Sequence, residues 1–160
     1  MIIRVAFIFI PVIATLIAHV TPPQTQTKYS VLAIEYVGPS DKPIDPIVIS
    51  DTQAGAEYYK TAVLGAYKWD PVAVHVVTAP FLDGLITQAE SFSDSVHDRQ
   101  ENLPGRERIV SVTIIKPEYK KTFSYGTESA ISYLDSLKEN SKGNEPLQSD
   151  VVYFRKRIRL

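Results

Sequence analysis

IVSVTIIK, residues 109–116, is dense in β-branched side chains and is stopped by Pro117. That composition gives it the strongest strand character in the chain. On its C-terminal side, Lys121 to Tyr125 alternates around Phe123 and is the expected hairpin partner. On its N-terminal side lies a polar loop, HDRQENLPGR, residues 97–106, with a Pro-Gly turn. A long amphipathic helix precedes the loop. Ala79-Pro80 supplies a helix start, and Leu82, Leu85, Ile86, Ala89, Phe92 and Val96 follow the helical period. Asp83, Thr87, Glu90 and Asp94 fall on the opposite side.

Further outward, Val72 to Thr78 reads as a strand with Val72, Val74 and Val76 on one side. Gly126-Thr127 opens a second helix carrying Ala130, Ile131, Leu134 and Leu137, which Gly143 ends. Asp150 to Leu160 reads as a closing strand, VVYF followed by the basic run RKRIRL. From Val72 on, the expected order is therefore β-α-β-β-α-β, a ferredoxin-like core with both helices on one side of a mainly antiparallel sheet. Ahead of it stand a strand at Tyr29 to Val37, a short one at Ile47 to Ile49, and a helix opened by Ser50 with Gln53 in capping-box spacing. Tyr59, Ala62, Val63 and Ala66 form the apolar stripe of that helix. The expected class is α+β, with an N-terminal β-β-α extension on the core.

The N-terminus sets the compartment. Arg4 is followed by an uncharged run, VAFIFIPVIATLIAHV, residues 5–20. A basic start, an apolar stretch and a polar continuation form the layout of a secretory signal. Retention as an N-terminal anchor is the alternative, although Pro11 would kink a spanning helix. Residues 21–28 then form a linker and residues 29–160 a single α+β domain. Either reading exports the body of the chain to the periplasm or cell exterior, with membrane contact only if residues 2–20 are kept.

Composition narrows the chemistry. The chain has 160 residues, 44% hydrophobic and 22% charged, and no cysteine. Disulfides, a thiolate nucleophile, a cysteine zinc site and an iron–sulfur cluster are all excluded. A net charge of −1 is far from the basic excess of a nucleic-acid binder.

No catalytic spacing such as G-x-S-x-G, S-x-x-K or H-E-x-x-H occurs. His97 with Asp94 or Asp98 is the nearest approach to a hydrolytic pair, and it lacks a placed nucleophile. His75 reads as a strand histidine bonded to a neighbour. Asp41, Asp45 and Asp51 lack calcium-loop spacing and read as turn and capping residues. Two groups remain as candidate binding residues. Tyr58, Tyr59, Tyr67 and Trp69 cluster around one helix and its exit turn; Tyr58 and Tyr59, 100° apart on a helix, cannot both face the core. Arg155, Arg157 and Arg159 would project from one side of the closing strand, as an anion or acidic-partner patch or as charge guarding an edge. No cofactor is expected. The leading expectation is an exported, non-catalytic domain that binds a protein or small ligand; a secreted hydrolase and an anchored assembly component are the alternatives.

Overall fold

Apolar alternation over Val31–Tyr36 (β1), Ile47–Ser50 (β2), Ala73–Val76 (β3), Val110–Ile115 (β4) and Lys120–Tyr125 (β5) builds one mixed sheet in the order β3-β2-β1-β4-β5. These elements come from a computed structural model, which describes residues 28–38, 44–100 and 109–158, the side chains of 97–100 excepted. The expectations placed on residues 1–27, signal or anchor and most of the linker, lie outside that set. β2 and β3 are parallel, and every other neighbouring pair is antiparallel. The β4–β5 hairpin forms in the register Val112 opposite Phe123.

Period-two alternation sends β1, β2 and β4 side chains to two different layers. Leu32, Ile34, Ile47, Ile49, Val110, Val112 and Ile114 enter one core, beneath Ala79–Gln100 (α2), Thr127–Asn140 (α3) and Glu145–Arg157 (α4). Leu82, Leu85, Ile86 and Ala89 of α2 are buried there, with Tyr133, Leu134 and Leu137 of α3. A fully buried side chain of this size contributes about 1.5–3 kcal/mol. Val31, Ala33, Val48 and Ile115 face the other way, where, among the described residues, Gln53–Tyr58 (α1) and one π-helical turn, Tyr59–Val63, cover the sheet. The helices therefore occupy both faces, not one.

The end of the chain corrects the expected topology. Residues 145–157 are helical, so the closing strand does not exist and the ferredoxin-like β-α-β-β-α-β core is not formed. The strands flanking α2 are also not neighbours, since β2 and β1 stand between β3 and β4. The cause is local. The Asn144 side chain accepts from the Leu147 backbone N–H at 3.2 Å and Pro146 occupies the first turn, a strong helix start. Leu147, Val151, Phe154 and Ile158 are the buried residues, at helical spacing. Glu145 opens the helix and Arg155, Lys156 and Arg157 close it, each sign at the favourable end of the dipole. Gly143, at φ +92°, makes the turn between α3 and α4.

The first helix is also shifted. Ser50 ends β2, and its hydroxyl donates to the Ser30 carbonyl at 2.9 Å. The cap is Thr52, whose hydroxyl accepts from the Gly55 N–H at 3.1 Å. Gly55 must lack a side chain, because a Cβ would meet Ser50 Oγ at 2.5 Å and the Tyr29 ring at 2.9 Å. After Tyr58 the bonds lengthen to an i+5 reach, Leu64 N–H to Tyr59 O at 2.9 Å. Ala56 and Tyr59 are buried at ordinary helical spacing, and the i+5 reach then shifts the phase, so Leu64 packs against that core while Ala62 and Val63 of the expected stripe are exposed.

Candidate interaction surface

The four aromatic candidates separate into three environments. Tyr59 points into the layer under α1, 1% exposed, and its hydroxyl donates to Glu35 Oε1 at 2.6 Å. Burial first, and that bond second, push its phenol well above the ordinary value. It offers nothing to a surface partner. Tyr58, next in sequence, turns outward at 44% exposure and leans on the Tyr29 ring, centroids 5.5 Å apart and planes at 49°. Burial first, then the nearby Tyr58, raises the Tyr29 phenol above 10.0.

Tyr67 and Trp69 are brought together. Their rings stack at 5.5 Å with planes 8° apart, yet they remain 66% and 80% exposed. A turn creates the pair by returning the i and i+2 side chains to one side. The Tyr67 N–H donates to Asp70 Oδ2 at 2.7 Å, and the Asp70 N–H donates to the Tyr67 carbonyl at 3.0 Å. Lys60, on the π-helical turn, donates through Nζ to the Lys68 carbonyl at 3.2 Å. The stack itself adds about 0.5–1.5 kcal/mol. The result is a pinned aromatic plate held out in solvent.

The basic candidates are arranged differently from the expectation because they lie on a helix end. Arg155 forms an ion pair with Asp135 of α3, in which a terminal nitrogen donates to Oδ2 at 2.7 Å. This ties α4 to α3. Arg157 lies two positions on, about 200° away around α4, so the two arginines do not share a face. Arg159 lies outside the described residues. A strand patch of three arginines is therefore not present.

His75 sits on the three-helix side of β3, and its Nε2 is 2.8 Å from Asp150 Oδ2 on α4. The expected hydrogen-bonded strand histidine is thus in place, with its partner on the helical C-terminus. Asp51 Oδ1 accepts from the Ser30 N–H at 3.0 Å, a turn-fixing role. Asp45 is exposed and Asp41 is outside the described residues. His97 lies on α2 with Asp94 exposed one turn earlier; its own side chain and that of Asp98 are outside the described set.

An open cleft of about 490 Å³ lies between the end of β3 and the α3–α4 turn, lined by Val76, Val77, Phe81, Lys142 and Asn144 among others. Lys142 is engaged with Glu139, whose carboxyl it holds below the usual value. Among the described residues no group of three or more His, Asp or Glu side chains is placed to hold a metal. Among them, too, no helix is long and apolar enough to cross a membrane. Of the sequence candidates, Tyr58, Tyr67 and Trp69 are exposed, whereas their neighbours and partners Tyr29, Asp135 and Asp150 were not singled out. Those partners come from elements far apart in the chain, and no local spacing announces them. No protein-family model, curated protein or solved structure matches this chain.

Proposed function

We propose that the chain is an exported, non-catalytic domain that binds a protein partner through the Tyr67–Trp69 plate. Export is the reading of residues 1–20. The single observation that carries the binding reading is that two large rings are exposed and stacked on each other, on a turn braced by Asp70 and Lys60. Exposed apolar rings favour removal from water on contact. Rings that are already ordered lose little further freedom on binding, which is how aromatic anchors become dominant contacts. Tyr58 and its neighbour Tyr29 extend the aromatic character of the same helix and its approach.

Trp69 is the only tryptophan in the chain, so its fluorescence reports on this surface alone. The test isolates a partner from native extract on the immobilised full chain and then measures acrylamide quenching of Trp69 in the purified complex. The reading expects strong quenching in the free protein and a marked loss of quenching in the complex. Equal quenching in both states would refute it.

A further inference from the structure

A continued helix would take the two plate rings apart. Tyr67 and Trp69 would then point about 200° away from each other, yet they stack with planes 8° apart. The chain must therefore leave the helix before Tyr67, and it does so at Gly65. Leu64 still has helical dihedrals, φ −76° and ψ −21°. Gly65 then takes φ +66°, in the left-handed region that few residues other than glycine and asparagine enter. Both ends of Lys60 hold the returning chain. Its carbonyl accepts from the Ala66 N–H at 3.0 Å, and its Nζ donates to the Lys68 carbonyl at 3.2 Å. The first of these bonds reaches back six residues, one more than in an ordinary glycine cap, in step with the i+5 turn before it. In a continued helix Lys60 and Lys68 would lie about 12 Å apart along the axis, beyond the reach of that side chain.

We propose that Gly65 is the positioning residue of the contact surface: its left-handed backbone, rather than any side chain, sets where the Tyr67–Trp69 plate stands. A Cβ at this position would meet nothing within 4 Å. Space is therefore not what calls for glycine here; the backbone angle is. Alanine in that region costs enough to disfavour this turn about tenfold against other conformations of the segment. Asparagine enters the region more readily than alanine and keeps most of the turn. Lys60 and Asp70 brace the plate only once Gly65 has reversed the chain. The role rests on the reading of the plate as the contact surface, and Gly65 acts through Tyr67 and Trp69.

The test is amide hydrogen exchange of the full chain, read by NMR, for the wild type, G65A, G65N and I114V. Near-UV circular dichroism of Trp69, the only indole, is recorded alongside. Three amides report on the turn: Ala66, bonded to Lys60; Tyr67, bonded to Asp70 Oδ2; and Asp70, bonded to the Tyr67 carbonyl. I114V trims a fully buried side chain of β4 and weakens the whole fold without touching the turn. The expected result is that G65A exchanges the three amides roughly tenfold faster and loses part of the Trp69 dichroism. G65N restores most of both, and I114V leaves the three rates unchanged. Equal rates in G65A and the wild type would overturn the proposal. So would equal acceleration in G65A and G65N, which rules out the backbone angle as the cause. Acceleration in I114V would mean that the turn opens only with the whole domain, and would overturn it too, as would free exchange of the three amides already in the wild type. The contact reading is judged separately, by the affinity of the isolated partner for Trp69→Ser. No change there refutes that reading, while the exchange rates decide the role of Gly65.

Discussion

Tyr59 and Tyr133 are both buried tyrosines on opposite faces of one sheet, and the molecule treats them in opposite ways. Tyr133 lies under three helices in an aromatic cluster, stacked on Tyr125 at 5.6 Å and tilted against Phe92 at 5.5 Å. Its hydroxyl has no hydrogen-bond partner among the described residues. Tyr59 lies under the single short α1 and spends its hydroxyl on Glu35. Where helix cover is thick, ring area alone holds the side chain, and an orphan hydroxyl is tolerated. Where cover is thin, a polar contact to the sheet helps fix one helix in one place. The difference teaches what the π-helical turn does: Tyr59 lies inward at ordinary helical spacing from Gly55 and Ala56, and the i+5 reach beyond it brings Leu64 against that core in place of Ala62 and Val63.

The comparison can be broken most easily from the thick side. Phe154→Ala removes a buried ring from the three-helix core and should cost about 3–5 kcal/mol, read from chemical denaturation. A loss below about 1 kcal/mol would mean that α4 is not an integral part of that core. Alkaline pH attacks both faces together. Burial is the first cause in each case and holds the Tyr59, Tyr125 and Tyr133 phenols above their ordinary 10.0, with Tyr125 pushed up to about 12. The folded state keeps these protons after the unfolded chain has released them. Stability is therefore complete below pH 10.0 and falls as pH rises through the folded values. Phenolate absorbance from these residues should appear together with loss of structure; full ionisation of all the tyrosines near pH 10 in an intact fold would contradict it.

The same one-atom change then sharpens the contrast. Tyr59→Phe removes the donor to Glu35 and should cost about 1–2 kcal/mol. Tyr133→Phe removes an unpartnered hydroxyl and should be neutral or stabilising by up to about 1 kcal/mol. Equal losses in the two variants would show that Tyr133 has a partner after all. The smallest effect is expected at the surface: Tyr67→Ser with Trp69→Ser should leave the melting transition nearly unchanged, apart from the stacking contribution of about 0.5–1.5 kcal/mol.

Most strands and both long helices were legible because their residues repeat at one clear period. The β4 run is uniformly β-branched, and α2 keeps its apolar face from Leu82 to Val96. The last helix was misread where two signals conflicted. VVYF has strand composition, and it sits inside a helical stripe of Leu147, Val151, Phe154 and Ile158 that begins at a capped Asn-Glu-Pro. Composition of four residues loses to periodicity over twelve once a core is there to receive the stripe. The phase of the first helix was not legible, because nothing local marks an i+5 turn. At the candidate surface, residue type and position pointed to Tyr67 and Trp69. Their stacking and the struts behind them depend on Lys60 and Asp70 and appear only in three dimensions.

The most direct measurement compares two exposed apolar sites in one chain. The partner isolated on the full chain is titrated against the wild type, the Tyr67→Ser/Trp69→Ser variant and a Val152→Ser/Tyr153→Ser variant on the opposite, α4 side. The account predicts that affinity falls by about 2 kcal/mol or more, roughly thirtyfold, only in the first variant. Unchanged affinity there, or a loss confined to the α4 variant, would contradict it.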